Sequence, residues 1–555
     1  MRPAIIFFCL LILAAIIILA LKWAFVPHRR LPGNRVRHNR LRVRLRLHPG
    51  RGHATLFELW LRWGRFAAYR RSKRSRRSLT WWQRLLAGSA AYSVLAGRAH
   101  FRHAVRVPLE EHALVMAPPR TGKTGWLARI ILHYPGPVVS TTTKHDVYEL
   151  TADVRRNAGP VEVFNPQGIG NVPSSFYWDP IPGCQDPAVA IRRADGFAQA
   201  INMGDVDDGS FFAAKASDYL RAMFAAAALA KWDLTAVADW VLGGDATEAE
   251  KILRSFGHDQ WAAQLAELRN EAQKTTATIR MTMSRALQFM GDPALAASVL
   301  PGGPAGRRGL SIEEFLRQRG TLYMIAESQG EDAPLAPLFA ALAGEIRHTA
   351  ALIGSRSPGG RLDPPLLMAL DEIVQTCPVP LPAWLADSGG KGIQIMPVVH
   401  GEAQLRTRWK TDGAQVVMDT CGVKIWLPGI TDPDTLKMAS ELCGKAGYKE
   451  RGQEHYTRHE VMTPEMIRQL PAGFALIIRG GLAPVVAKLP LAWKDKAHKR
   501  ARRLAARSLT APVTRAPVPL PGGPGELPSP IKVPPQRPAP DGADDQEFPW
   551  DRRNR

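Results

Sequence analysis

Apolar residues fall into two kinds of pattern along this chain. Short, nearly uninterrupted apolar runs recur at 113–116, 138–140, 161–164, 321–326, 366–370, 393–399 and 423–427. Runs of this length with little polar alternation suit strands covered on both faces. Helically spaced stretches, such as 335–353, alternate with several of them, which predicts a mostly parallel central sheet in an α/β fold. Between 233 and 299 the pattern changes. Ala238, Val241 and Leu242, then Ile252, Leu253 and Phe256, then Trp261, Leu265 and Leu268 mark helix faces, and this segment is predicted to be an inserted all-α domain.

The amino terminus carries a different signal. Residues 4–21 are uninterruptedly apolar, 18 residues that can cross most of a bilayer as a helix. Lys22 can snorkel and Trp23 can sit at the interface, which gives a transmembrane anchor over 1–26. A cleaved signal peptide competes with this reading, but the run is longer than a usual signal core. Arg2 precedes the run, whereas Arg29, Arg30, Arg35, Arg37 and Arg40 follow it. The positive-inside rule then puts the body of the protein in the cytoplasm, held to the cell membrane by one span.

Charge adds to this picture once it is located. The net charge is +23 over 555 residues, and 29–77 holds about 17 Lys/Arg against the single acid Glu58. Residues 27–105 therefore read as a basic juxtamembrane segment, with strict arginine alternation at 40–47. Such a surface suits anionic lipid head groups or a nucleic-acid backbone. A second basic cluster spans 494–507. Beyond it, prolines recur from 511 to 540 and exclude a packed core, so 494–555 reads as a basic, then Pro-rich tail. The five cysteines are scattered without C-x-x-C spacing, against a disulfide framework or a zinc site.

The chemistry is concentrated at two places. Ala117-Pro118-Pro119-Arg120-Thr121-Gly122-Lys123-Thr124 follows the apolar run at 113–116 and precedes a helically patterned segment opening at Gly125. Strand, loop and helix in this order are the context of a phosphate-binding P-loop, with Ala117 in place of the usual first glycine. Its backbone amides would cradle phosphate, Lys123 would reach the β- and γ-phosphates of ATP, and the Thr124 hydroxyl would complete a Mg2+ shell. The second place is Asp371-Glu372, at the end of Leu366-Leu367-Met368-Ala369-Leu370. Asp371 would hold the metal and Glu372 would act as general base on water. The two motifs lie far apart in sequence, which leaves room for the helical insertion between 106–232 and 300–493, the two parts of the nucleotide-binding domain.

With these motifs placed, the chain resembles the TraG-like coupling proteins of type IV secretion, a family of conjugative DNA-transfer ATPases. The resemblance runs from about 114 to 490. It includes Phe164-Asn165-Pro166, Trp178-Asp179-Pro180, Gly389-Gly390-Lys391-Gly392, His400-Gly401-Glu402-Ala403-Gln404-Leu405 and Leu470-Pro471-Ala472-Gly473. It implies a RecA-like P-loop NTPase fold, a homo-hexamer, and single-stranded DNA with its relaxase or relaxosome proteins as cargo for the secretion channel. It also implies that His400 stands where the family has a γ-phosphate-sensing glutamine. Gly389 and Lys391 stand where it often has arginines, so the charge supplied across a subunit boundary would come from Lys391, Arg406 or another residue. Two other readings remain open at this point: a double-strand DNA pump of the FtsK type, and a membrane-tethered nucleic-acid binder without catalysis.

Overall fold

The computed structural model describes residue 13 and residues 52–201, 209–270, 273–301, 307–327, 333–449 and 456–510. Apart from Leu13, the expected membrane span at 4–21 lies outside the described residues, as do the segment at 40–47 and the Pro-rich tail. Among the described residues no helix is long and apolar enough to cross a membrane. The chain divides into two units, Met1–Ala505 and Ala506–Arg555, and the fold below is that of the first.

In chain order the strands are β1 (Ser93–Arg98), β2 (Ala104–Pro108), β3 (Ala113–Met116), β4 (Val138–Thr142), β5 (Val161–Phe164), β6 (Phe176–Tyr177), β7 (Arg308–Gly309), β8 (Thr321–Ile325), β9 (Leu366–Leu370), β10 (Ile393–Val399), β11 (Val423–Trp426), β12 (Lys445–Lys449), β13 (Tyr456–Glu460), β14 (Phe474–Arg479) and β15 (Val485–Lys488). Eleven of them form one sheet in the order β2-β1-β15-β14-β11-β3-β10-β9-β4-β8-β5. From β11 to β5 every pairing is parallel, and from β14 to β2 every pairing is antiparallel.

The continuous apolar runs have a direct cause. Leu114, Met116, Leu366, Met368 and Leu370 belong to one hydrophobic core, while Ala113, Val115, Leu367 and Ala369 belong to another. Successive side chains of a strand point to opposite faces, so a strand buried on both sides must be apolar at every position.

The longer helices are α1 (Arg65–Ser75), α2 (Trp81–Leu86), α3 (Lys123–Leu132), α4 (Asp146–Arg155), α5 (Pro187–Ala198), α6 (Gly209–Leu229), α7 (Leu234–Gly243), α8 (Thr247–Ser255), α9 (Asp259–Asn270), α10 (Gln273–Ala286), α11 (Ala336–Ser355), α12 (Leu381–Ser388), α13 (Glu402–Thr420), α14 (Pro433–Cys443) and α15 (Lys496–Thr510). The run of helices begins at Pro187, upstream of the 233 expected from spacing. Asp186 caps α5 by accepting from the Ala188 amide, and Pro187 fits the first helical turn. Phe197, Phe224, Leu253, Leu265 and Met283 share a core with Leu114 and Met368, so the inserted helices pack onto one face of the sheet.

The segment expected as a basic juxtamembrane stretch over 27–105 needs correction at its end. Residues 93–98 and 104–108 are β1 and β2 of the main sheet. Val94, Ala96 and Val105 are buried there, a short apolar alternation that the surrounding positive charge obscures in the sequence. The preceding helices are tied down as well. Arg76 pairs with Asp363 at 2.7 Å, and the Ser78 amide donates to the same carboxylate at 2.6 Å.

Candidate nucleotide site

β3, β10 and β9 lie side by side and parallel, so their carboxyl ends meet at one edge of the sheet. That edge is where ligands bind in open α/β sheets. β3 delivers the loop 117–122, β9 delivers Asp371 and Glu372, and β10, between them, delivers His400.

The loop is built on two left-handed residues, Arg120 at φ 62° and Gly122 at φ 90°. Only glycine adopts such angles without cost, which explains Gly122 immediately before α3. Ala117 keeps a negative φ, so replacing the usual first glycine there introduces no backbone strain. Its amide donates to the Val399 carbonyl at 2.9 Å, which ties the start of the loop to β10. The Thr121 hydroxyl donates to the Pro118 carbonyl at 2.8 Å and closes the turn. Lys123, Thr124 and Gly125 form the first turn of α3, whose amides have no intrahelical partner and face an incoming anion.

Lys123 links the two motifs. Its ammonium lies 2.9 Å from Asp371 Oδ1 and 3.2 Å from Glu372 Oε1. Lys123 and Asp371 are both buried. Burial by itself would lower the lysine pKa, but the two carboxylates outweigh it and the ammonium is held above its usual range. Burial pushes the Asp371 carboxyl up, against the pull of Lys123. The Lys123 ammonium is the partner of the buried Asp371 Oδ1. A carboxylate is the hard oxygen donor that Mg2+ takes, so Asp371 fits a place in a Mg2+ shell, with the Thr124 hydroxyl, one residue after Lys123, as a second candidate donor.

Glu372 has φ 51° and ψ 43°, a left-handed conformation for a non-glycine residue that costs on the order of 1–3 kcal/mol. The surroundings hold it there. Its carbonyl accepts from the Gln375 and Thr376 amides at 2.9 and 3.0 Å. The neighbouring Asp371 carbonyl accepts from the Thr376 hydroxyl at 2.9 Å and from the Thr141 hydroxyl of β4 at 3.1 Å. The effect is to turn Glu372 back toward Lys123, away from the path of the strand. The His400 ring Nδ1 lies 3.2 Å from the Ala117 carbonyl, and the His400 amide donates to Gln404 at 2.8 Å. Lys123, Asp371, Glu372 and His400 are thus brought to one edge.

Lys391 is not. It precedes β10, whose seven residues, roughly 23 Å of strand, separate it from His400 at the other end. There it pairs with Asp387 of α12. Arg406 lies on α13, which starts at the carboxyl end of β10, and pairs with Glu402 at 3.3 Å and Asp434 at 3.4 Å.

One part of the site is silent in the sequence. After β15 the chain returns across α3: Ala492 packs on Ala128 and Leu132, and Trp493 lies against Gly125. Asp495 pairs with Arg129 at 2.8 Å and His133 at 3.2 Å, which closes a strap over the P-loop helix. No local pattern marks 491–495 as a partner of 122–133.

A Gly-Lys-Thr loop on the first of three adjacent parallel strands, with paired acids on the third, is the arrangement of a RecA-like α/β fold. Comparison with known proteins agrees with this and narrows it. Residues 365–472 match the family described as the TraM recognition site of TraD and TraG. The fold is similar over 75% of this chain, and 93% of the other, to the plasmid coupling protein TrwB in complex with a non-hydrolysable GTP analogue, with TM-score 0.55 and 18% identity. It is also similar to TrwB in complex with ADP and Mg2+: TM-score 0.52, 17% identity, 70% of this chain and 88% of that one. A third similar structure is the unbound bacterial conjugative coupling protein TrwBdeltaN70, with TM-score 0.55 and 18% identity over 74% of this chain and 90% of that one. Comparison with curated protein sequences gives no match. In fold, and in the segment 365–472, the chain resembles the TraG-like coupling proteins.

Proposed function

We propose that this protein is a membrane-anchored, Mg2+-dependent ATPase that drives a DNA–protein substrate toward a type IV secretion channel during conjugation. The observation that carries the reading is the approach of Lys123 to both Asp371 and Glu372 across the carboxyl edge of the sheet. The loop amides and Lys123 would bind the triphosphate, while Thr124 and Asp371 would hold Mg2+. The metal, when bound, supplies charge neutralisation at the phosphate oxygens. Glu372, turned toward the phosphate side by its left-handed backbone, would orient water and take its proton. His400, anchored to the loop through Ala117, would report on the γ-phosphate to α13. These groups act largely by positioning and electrostatics, which is the catalytic demand of phosphoryl transfer.

Support for the partners comes from elsewhere on the molecule. The match of 365–472 to a TraM recognition site favours a relaxosome protein as cargo adaptor. Homo-hexamer assembly, single-stranded DNA in a central pore and docking on channel components follow from the same resemblance. Membrane attachment has a physical argument of its own. Trp81 and Trp82 stack at 3.7 Å, and with Leu85 and Leu86 they are exposed on α2, beside the arginine-rich α1. Exposed tryptophan interleaved with basic charge suits the interfacial layer of an anionic bilayer.

Turnover by the detergent-extracted full chain, with and without single-stranded DNA, tests the proposal. Hydrolysis stimulated by single-stranded DNA, and much less by duplex, is the expected result. Preference for duplex would move the assignment to a double-strand pump, and absence of turnover to a non-catalytic binder.

A further inference from the structure

We infer that Trp493 is the stacking platform for the nucleotide base, a subsite that completes the phosphate site and rests on the reading of 117–124 as a P-loop. Three observations converge on it. The first is position: Gly125 follows directly on Lys123 and Thr124, and a Cβ built there would lie 1.9 Å from Trp493 Cζ3. The indole is therefore seated on the first turn of α3. In a P-loop, lysine reaches the β- and γ-phosphates while the amides cradle the α- and β-phosphates. Past the phosphates the ribose and base leave over this first turn.

The second observation is exposure. Trp493 is 43% exposed although the strap around it is fixed, with Ala492 fully buried on one side and Asp495 held by Arg129 and His133 on the other. Leu491 stands 3.8 Å from the Cβ position of Gly122, so the strap follows the loop itself. A large aromatic surface is thereby held open to solvent by a fixed segment beside the loop, where a planar ligand can reach it. The third is the approach of Lys123 to Asp371 and Glu372, which sets the phosphate and metal side next to the same first turn of α3.

An indole face recognises a base by stacking, without reading its hydrogen-bonding edge. The ligand class is therefore a nucleoside triphosphate with little selection among bases, ATP and GTP being accepted to similar degrees. Loss of one base–aromatic stack weakens binding by roughly 5- to 150-fold. The occupied strap would also link the nucleotide to α15, the basic helix that begins at Lys496.

The experiment compares full-length wild type, Trp493→Ala and Trp493→Phe, measuring KM for ATP, inhibition by tripolyphosphate, and Tm. The expected result for Trp493→Ala is an ATP KM at least fivefold higher with tripolyphosphate inhibition unchanged, and for Trp493→Phe recovery of most of the ATP affinity. An equal loss of ATP and tripolyphosphate binding, or no change in either, would overturn the inference and leave Trp493 as packing. Failure of wild type to bind either ligand would instead overturn the phosphate-site reading beneath it.

Discussion

Gly125→Ala separates two physical effects of opposite sign. On helix propensity alone, alanine in place of glycine within a helix is worth about 0.8–1.0 kcal/mol of added stability. Gly125 sits in α3 with a negative φ, so the backbone accepts the change. The contact with Trp493 does not. The new methyl would lie 1.9, 2.3 and 2.8 Å from three ring carbons, and the indole must leave. Trp493 is 43% exposed, so a little over half of a side chain of roughly 250 Å² is buried, about 140 Å². At about 25 cal/mol per Å² its release costs about 3.5 kcal/mol. The net expectation is destabilisation by roughly 2.5 kcal/mol, together with a red-shifted contribution of Trp493 to fluorescence. Thermal unfolding of wild type, Gly125→Ala, Trp493→Ala and the double variant measures it. The two substitutions should be strongly non-additive, because either one alone already breaks the contact. A Gly125→Ala protein that melts above wild type would show that propensity wins, and the strap described here would be wrong.

Other consequences follow from buried polar groups. Arg155 donates to the Thr321 hydroxyl at 2.7 Å and to the carbonyls of Tyr134 and Gly136 at 2.7 and 2.9 Å, and is itself fully buried. Arg155→Met should cost about 3 kcal/mol or more by leaving those acceptors unpaired; a loss below 1 kcal/mol in chemical denaturation would contradict the arrangement. Burial holds the His112 imidazole at about 4, and its Nδ1 accepts from the Ile395 amide at 3.0 Å. The unfolded chain takes up that proton below about 6.5 and the folded chain only near 4, so stability falls as pH drops through this window. Between pH 6.5 and 5 the loss attributable to His112 is about 2 kcal/mol, and His112→Asn should flatten that part of the profile. An unchanged profile would remove His112 as its source.

Much of the parallel half of the sheet is legible in the sequence because burial on both faces leaves no polar position in β3 and β9 and only Gln394 in β10. The loop 117–124 and the pair Asp371-Glu372 are legible for a related reason: each follows such a strand directly. The antiparallel half is harder. β1 and β2 lie in a basic region with Arg98, His100 and Arg102 around their connection, and the pairing of β1 with β15 joins residues nearly four hundred apart. Lys391 shows the limit of reading a motif without strand direction. It is close in sequence to His400, yet the length of β10 carries it to the other end of the sheet. The left-handed turn at Glu372 has no signal at all, since glycine is absent and the conformation is imposed by Thr141 and Thr376. Trp493 is equally hidden, because its partner, Gly125, reads simply as the opening residue of the helical segment after the loop.

The central claim is one catalytic pocket, with Lys123 gripping phosphate and Glu372 acting on water. Mg2+-dependent binding and turnover of ATP by Glu372→Gln, set beside Lys123→Ala, tests it most directly. Glu372→Gln should bind ATP as wild type does and hydrolyse it at least 100-fold more slowly, while Lys123→Ala should lose binding. Wild-type turnover by Glu372→Gln, or undiminished ATP binding by Lys123→Ala, would contradict the account.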